Sequence, residues 1–314
     1  MNSLPYKIVF LGTSDFALPG LKKLIESDFV DLKLVITQPD KIKGRKKIIT
    51  PPPVKILAQK YNLPIIQPKK IIEAEEKIKA INPEAIILIS YGQIIPPEIL
   101  KIPSKGCLNL HPSLLPKYRG ASPIQYTILN GEKETGVTLI LMDEKIDHGP
   151  IIGYKKIRIN PQKEDFPFLK EKLANLGAKL LEEILLPYLK GKIESRPQDD
   201  KQATFTKILK RDDGKIDWQK PAEQIERQIR AFRPWPGSFT FWRNKMIKIL
   251  EAKVIEEENH YPPGKIFLTK NKKMAVQCSQ KSLLIEKIQK EGSKIMDGQS
   301  FINGHQEIIN DSFS

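Results

Sequence analysis

Two polar side chains with complementary chemistry lie near the end of a strand-like segment, residues 106–112. Within it Asn109 and His111 are two positions apart, so on a strand both side chains point to the same face. Pro112 cannot donate to a ladder hydrogen bond and is expected to end the strand there. An Asn amide can donate to a developing oxyanion, and a neutral His can accept a proton from an attacking amine. The pair therefore suits the addition of an amine to a carbonyl carbon.

A carboxylate for this pair is available in the loop that follows the next strand-like segment, residues 143–150. Asp147 in this loop could lie beside His111 and tune its charge through an ion pair or a bound water. Alternatives remain open for each residue taken alone, since a strand-end His is more often structural and Asp is favoured in turns. His148, the next residue, is interpreted as a surface side chain rather than as a second base.

Several common active-site motifs are missing from the sequence. The turn at residues 12–17 lacks the second and third glycines of a dinucleotide fingerprint, which argues against NAD binding. The chain has no GxxxxGK[ST], HExxH or GxSxG motif, and its two cysteines, Cys107 and Cys278, form no CxxC pair. We therefore expect no metal and no disulfide framework, and we expect both cysteines to lie in the core.

The apolar runs of the chain are too short to cross a bilayer, which takes roughly 20 residues. The longest runs are at 85–89 and 139–142. The first residues lack a basic start, an apolar stretch of signal length and a small-residue cleavage site. These features predict a cytoplasmic protein.

The order of strand-like and helix-like segments predicts two domains. Nearly continuous Ile, Leu and Val runs indicate strands that are buried on both faces. Residues 1–191 are therefore predicted to form an α/β doubly wound domain with a mostly parallel sheet and a long final helix. The runs lie at 7–11, 32–37, 85–90, 106–110 and 136–142, and the apolar stripe of the helix comprises Leu169, Leu173, Leu176, Leu180 and Ile184.

The sequence changes character after residue 191. Residues 192–206 are polar and lack periodicity, which predicts a linker. Over residues 207–314, a short helical segment and then short strand-like runs favour a small β-barrel of the oligonucleotide-binding (OB) type. The helical segment lies at 222–231 and the strand-like runs at 238–242, 245–254, 264–268, 274–278 and 283–288.

The net charge of +15, from 52 Lys and Arg against 37 Asp and Glu, suggests a polyanionic partner. A general enrichment in surface lysine explains the charge equally well. The densest cluster is a loop that cannot be buried without stranding its charges. It contains Lys41, Lys43, Arg45, Lys46 and Lys47.

The sequence resembles the signature of the folate-dependent formyltransferases at residues 109–116 (NLHPSLLP) and 117–120 (KYRG). The resemblance implies that Asn109, His111 and Asp147 are catalytic, that 10-formyltetrahydrofolate is the formyl donor, and that no metal is needed. It also implies that the folate is contacted by the loop of Ser113, Leu114, Leu115 and Pro116.

Three further stretches resemble the members of this family that act on tRNA: residues 10–17, 37–45 and 231–237. This likeness implies that the acceptor is the amino group of methionine on initiator tRNA, and that Arg45 and the neighbouring lysines bind the tRNA. A monomer is expected. Two alternatives stay open: an amino sugar nucleotide or another small amine as acceptor, and an RNA-binding protein without catalytic activity.

Overall fold

The computed structural model describes residues 4–43, 47–257 and 260–314, which fall into two compact units. Both units are discontinuous along the chain. The first comprises Met1–Pro123, Glu134–Arg158 and Lys170–Thr206, and the second comprises Ile124–Lys133, Ile159–Leu169 and Lys207–Ser314. Within the described ranges, no helix has both the length and the apolar character needed to cross a bilayer.

The strands of the first unit are β1 (Tyr6–Gly12), β2 (Val30–Ile36), β3 (Lys41–Lys43), β4 (Ile48–Thr50), β5 (Ile65–Ile66), β6 (Ala85–Ile89), β7 (Cys107–His111), β8 (Arg119–Gly120), β9 (Glu134–Leu141), β10 (Ile151–Arg158) and β11 (Phe205–Thr206). Its central sheet has the order β10-β9-β7-β6-β1-β2-β5. Pairing is parallel from β7 through β5 and antiparallel where β9 and β10 continue the sheet. The predicted α/β domain with a mostly parallel sheet is confirmed.

The helices of the chain are α1 (Leu18–Ile25), α2 (Pro53–Lys60), α3 (Glu75–Ile81), α4 (Pro97–Leu100), α5 (Pro123–Leu129), α6 (Phe166–Leu189), α7 (Ala222–Ala231) and α8 (Gly298–Gly304). The long helix α6 packs on the sheet of the first unit through small residues. A Cβ at Gly177 would overlap the side chain of Leu110, and one at Gly153 would lie 2.9 Å from Ile184 Cδ1. The predicted stripe therefore faces the sheet, with Leu173 and Leu180 buried.

The segment predicted as a linker, residues 192–206, makes backbone hydrogen bonds within the first unit. Ile151 and Arg196 exchange two of them, at 2.7 and 2.8 Å, and β11 pairs in parallel with β8. The polar composition of this segment indicated a connection between domains. It could not indicate these contacts, because main-chain groups form them and they do not depend on the type of side chain. The domain boundaries at 191 and 207 stay a prediction.

The second unit is built on an antiparallel sheet. Its strands are β12 (Ser238–Trp242), β13 (Lys245–Ile255), β14 (Ile266–Leu268), β15 (Met274–Gln277), β16 (Ser282–Lys290) and β17 (Met296–Asp297). The order is β12-β13-β16-β15-β14, with β17 also paired to β16. A β-rich C-terminal domain preceded by the helix at 222–231 is confirmed, whereas its OB-like form stays a prediction.

The chain after Gly304, which the sequence left without an interpretation, completes the core of the second unit. The Phe313 ring is almost fully buried and stacks on Trp218, with ring centroids 5.7 Å apart. Ile308 is fully buried, and the last residue, Ser314, exchanges backbone hydrogen bonds with Phe241. The tail is therefore a structural part of this unit.

Replacing Phe313 with Ala is expected to destabilise the second unit by about 3 kcal/mol, because it removes buried ring surface and leaves a cavity. All three tryptophans of the chain lie at or after residue 218, so tryptophan fluorescence during urea unfolding reports this unit. Ile208→Ala, at a 74% exposed apolar residue, is the control and should change stability by less than about 0.5 kcal/mol. Equal midpoints for the two variants would contradict the role given to the tail.

Candidate active site

Strand β7 carries both polar residues of the predicted pair. Asn109 is 9% exposed and His111 is 4% exposed. In the sheet Asn109 lies opposite Leu88 of β6 and Ile140 of β9, and His111 lies opposite Thr138 of β9. The pair therefore stands where the parallel part of the sheet meets its antiparallel edge, at the carboxyl end of β7.

The predicted carboxylate reaches this pair from the turn between β9 and β10. Asn109 Nδ2 donates to Asp147 Oδ1 at 3.0 Å, and His111 Nδ1 lies 3.5 Å from Asp147 Oδ2. The backbone N–H of Gly120 also donates to Asp147 Oδ2, at 2.8 Å. The structure thus brings the three predicted catalytic side chains together, with Asn109 and His111 beside the Asp147 carboxylate.

Both ring nitrogens of His111 face oxygen atoms that can only accept hydrogen bonds. Nε2 lies 2.9 Å from the carbonyl oxygen of Tyr118, while Nδ1 faces the Asp147 carboxylate. The ring is therefore placed between a main-chain carbonyl group and the Asp147 carboxylate.

The turn that carries Asp147 is pressed against β9. Asp147 itself has a left-handed backbone conformation, with φ 49°, a region that Asp tolerates better than most residues. Two residues on, a Cβ at Gly149 would overlap the carbonyl oxygen of Leu141. The close approach of this turn to β9 therefore requires glycine at position 149.

Reasoning from sequence missed Gln198, which contacts this turn, and Arg119, which contacts Gln198. Gln198 Nε2 donates to the carbonyl oxygens of Asp147 and Gly149, and Gln198 Oε1 accepts from the guanidinium of Arg119. Arg119 had a signal, because it belongs to the KYRG stretch. Gln198 had none, since it lies in a polar segment interpreted as a linker.

His148, interpreted as a surface side chain, keeps 28% of its side-chain surface exposed and lies between two carboxylates. Its Nδ1 lies 2.5 Å from Asp143 Oδ2 and its Nε2 lies 3.3 Å from Asp200 Oδ2. Asp200 also accepts from Arg119 Nη2 at 2.7 Å. The Arg119 hydrogen bond, with a smaller contribution from His148, holds the pKa of the Asp200 carboxyl below its ordinary value.

The loop predicted to contact folate folds partly onto itself. Ser113 Oγ donates to the carbonyl oxygen of Lys117 at 2.6 Å, and Thr138 Oγ1 donates to Ser113 O and accepts from the Leu115 N–H. Ser113 and Leu115 are buried, whereas Leu114 and Pro116 keep some exposed surface. Any ligand contact by Ser113 would therefore compete with its own loop, and Leu114 and Pro116 are the more accessible members.

The predicted tRNA loop lies on a hairpin, residues 41–50, which we call the basic hairpin. Its strands β3 and β4 pair in antiparallel fashion, and Lys41 and Lys47 are exposed. Arg45, Lys46 and the side chain of Lys43 lie outside the described residues. The hairpin also exposes apolar surface that charge counting does not reveal, at Ile42, Ile48 and Ile49, each between 60% and 68% exposed.

The two predicted core cysteines are buried, and burial raises the pKa of each thiol to about 12. Neither is therefore a nucleophile at neutral pH. The candidate site of the first unit is built from amide, imidazole and carboxylate groups.

Comparison with protein-family models identifies the class of protein. A formyl transferase family model matches residues 6–185, and a model of the formyl transferase C-terminal domain matches residues 208–306. The chain belongs to the formyltransferase family. Within it, a methionyl-tRNA formyltransferase from Caldanaerobacter subterraneus subsp. tengcongensis is 43% identical over 302 residues, which are 95% of this chain and 97% of that protein. One from Thermodesulfovibrio yellowstonii is 44% identical over 312 residues, or 98% and 99% of the two chains.

Solved structures with low sequence identity share the fold. An N-formyltransferase from Helicobacter canadensis, in complex with folinic acid and dTDP-3-aminofucose, aligns with a TM-score of 0.66 at 20% identity, over 90% of this chain and 98% of that one. HypX from Aquifex aeolicus in complex with tetrahydrofolic acid aligns with a TM-score of 0.61 at 16% identity over 97% of this chain. This chain spans about half, 48%, of the length of that HypX chain.

Replacing Gly149 with Ala is expected to lower the turnover number of formyl transfer by about 100-fold. The added methyl group would overlap Leu141 O and displace the turn, and a shift of about 1 Å at a catalytic group typically costs a rate factor of that size. Gly304→Ala, where an added Cβ meets nothing within 4 Å, is the control and should leave turnover unchanged. Unaltered turnover in a folded Gly149 variant would show that the turn does not set the position of Asp147.

Proposed function

We propose that this chain transfers the formyl group of 10-formyltetrahydrofolate to the amino group of methionine esterified to initiator tRNA. The observation that carries the proposal is the contact of Asn109, His111 and Asp147 at the end of β7. This contact occurs in a chain whose similarity to methionyl-tRNA formyltransferases covers both units. The product would be formylmethionyl-tRNA for the initiation of translation.

The reaction proceeds by addition of the neutral amine to the formyl carbon. A new C–N bond forms, the carbonyl oxygen takes up negative charge, and the bond from the formyl carbon to N10 of the folate then breaks. The amine loses one proton and N10 gains one, so the exchange needs no oxidant or reductant. The protein must therefore stabilise an oxyanion and move one proton.

Asn109 supplies a donor for the oxyanion. One hydrogen of its amide nitrogen is directed to Asp147, and an amide nitrogen carries a second that can point at a carbonyl oxygen. A positively charged His111 adds electrostatic stabilisation from a nearly water-free site. Each such interaction typically contributes ~10²–10³ in rate.

Asp147 is suited to carry the proton from the amine to the leaving nitrogen. An ionised carboxylate accepts about four hydrogen bonds, and two are supplied by Asn109 and Gly120. Capacity therefore remains for the attacking amine. Because His111 faces the same carboxylate, its charge also limits the change in field as the proton arrives and departs.

The acceptor RNA is proposed to meet the protein at the basic hairpin. Lys41 and Lys47 are exposed there, and Lys43, Arg45 and Lys46 lie between them in sequence. Lysine and arginine contact phosphates, while an Arg plane or exposed Ile side chains could pack on an unpaired base. The combination of charge and apolar surface is more typical of a contact with single-stranded RNA than of a solvated charge run.

The second unit is proposed to form an OB-like tRNA-binding domain over residues 207–314, joined by residues 192–206 to a catalytic domain over residues 1–191. Its 20 cations against 14 anions in 207–314 support an RNA-facing role. We further propose that the protein acts as a monomer in the cytoplasm, where charged initiator tRNA is available.

An amino sugar nucleotide is the alternative acceptor. The Helicobacter canadensis structure, which contains dTDP-3-aminofucose, shares the fold with this chain. Against it stand the much higher identity to methionyl-tRNA formyltransferases, 43% against 20%, and the match to the C-terminal domain model at 208–306. The acceptor assay decides between them.

Purified protein incubated with formyl-folate and charged initiator tRNA should yield N-formylmethionine on the RNA, and an amino sugar nucleotide in its place should yield no product. His111→Ala and Asp147→Asn should each lower turnover by at least ~10²-fold and leave tRNA affinity unchanged, because both groups act on the reacting atoms. Formylation of the sugar alone would overturn the proposed acceptor. Full activity in both variants would end the proposed mechanism.

Binding of tRNA should weaken steeply with salt, with a slope of ~0.7–0.9 per neutralised phosphate in a plot of log affinity against log salt concentration. Lys47→Ala should reduce that slope by about 1 if the basic hairpin neutralises a phosphate through this residue. Lys60→Ala is the matched control, since Lys60 is an exposed lysine of the same unit outside the hairpin. Equal slopes for the two variants would remove Lys47 from the interface.

A further inference from the structure

We propose that Gln198 is a positioning residue for the catalytic carboxylate, a role that rests on the function proposed above. Gln198 binds the main chain of the turn that carries Asp147, and not the Asp147 carboxylate. Its side-chain amide donates to Asp147 O at 2.9 Å and to Gly149 O at 2.8 Å. These two carbonyl groups flank His148, so one side-chain amide binds the main chain on both sides of that residue.

Contacts from outside the sheet must position the turn, because strand pairing alone does not bring Asp147 next to Asn109 and His111. In the antiparallel pairing of β7 with β9, Leu141 lies opposite Leu108 and Thr138 lies opposite His111. The end of β9 is therefore about 10 Å from His111, three residues at ~3.4 Å each. The chain must double back along β7 to bring Asp147 to Asn109 and His111.

Within the turn, the Asp143 carboxylate accepts from the Lys145 N–H at 3.0 Å and lies 2.5 Å from His148 Nδ1. Asp147 adopts φ 49°, and Gly149 lies against Leu141 O. A left-handed residue persists where the surrounding structure determines it. The Gln198 amide supplies this constraint, since it fixes the carbonyl groups on both sides of the turn apex.

Arg119 fixes the orientation of the Gln198 amide. Arg119 Nε and Nη2 donate to Gln198 Oε1 at 3.1 and 2.9 Å. With two donors on its oxygen and two carbonyl groups on its nitrogen, the amide has its full hydrogen-bonding capacity satisfied in one orientation only. The opposite orientation would place the amide nitrogen against a guanidinium and the amide oxygen against two carbonyl groups.

Arg119 is itself held rigidly. It is 3% exposed, Asp200 Oδ1 accepts from its Nη2 at 2.7 Å, and its carbonyl oxygen accepts from Thr206 Oγ1. The next residue, Gly120, donates its N–H to Asp147 Oδ2. The strand pair β8–β11 thus binds the Asp147 carboxylate through Gly120, and the Gln198 amide binds the main chain of the turn.

The test compares Gln198→Ala and Gln198→Glu with the native chain. The Glu variant keeps the side-chain length and the partner Arg119, but it replaces the amide nitrogen and its two N–H donors by one oxygen that faces two carbonyl groups. We expect kcat to fall by about 10- to 100-fold in both variants, the range typical for loss of a group that orients a catalytic one. The KM for folate and the KM for tRNA should stay within about twofold.

Gln202→Ala and Gln202→Glu are the matched controls. Gln202 lies in the same segment, and its amide donates to Asp199 rather than to the Asp147 turn. Both controls should keep the native kcat. Thermal unfolding of all variants is measured alongside, and if the Ala variant does not fold, the Glu variant decides the question.

Three results would overturn the proposal: native kcat in the Gln198 variants, an equal loss of kcat in the Gln202 controls, or an increase in the KM for tRNA at native kcat. The last result would make Gln198 an RNA contact. Failure of the proposed function is separate, because it appears as absent formylation by the native chain.

Discussion

The candidate site depends on one nearly buried carboxylate that must be supplied with hydrogen-bond donors. Burial of a charge is costly unless hydrogen bonds and opposite charge compensate for it. Asp147 meets this condition through the Asn109 amide and the Gly120 N–H, with the His111 ring beside it. The three groups come from separate segments of the first unit, so the position of the carboxylate depends on how these segments pack.

The fold provides these donors from separate parts of the first unit. Alternation along β7 sets Asn109 and His111 on one face, the short pairing of β8 with β11 fixes the N–H of Gly120, and the turn after β9 brings Asp147. Only the first of these is a property of one strand. The other two require segments distant in sequence, which explains why residues 196–206 pack within the first unit instead of serving only as a connection.

Features set within one segment were predictable from sequence, and features set by contacts between distant segments were not. The strands β1, β2, β6, β7 and β9, the stripe of α6 and the shared face of Asn109 and His111 were predictable, because apolar runs and period-two alternation are local signals. Strand β10, which is Lys- and Arg-rich and only partly buried, was not predicted. The contacts of Gln198 and the burial of Phe313 were not, because main-chain hydrogen bonds and long-range packing leave no local pattern. The net charge of the basic hairpin was visible, whereas the exposure of its isoleucines depended on the pairing of β3 with β4.

The mutual contacts of Asn109, His111 and Asp147 limit the roles that each group can take in the candidate site. Nε2 of His111 lies 2.9 Å from Tyr118 O, and Nδ1 lies 3.5 Å from Asp147 Oδ2. The Asn109 amide, by contrast, has a second hydrogen to offer. These contacts support the roles proposed for the three residues: Asn109 as a donor to the oxyanion, His111 as a positive charge and Asp147 as the carrier of the proton. Because these groups are oriented before substrate arrives, little reorganisation is needed in the transition state.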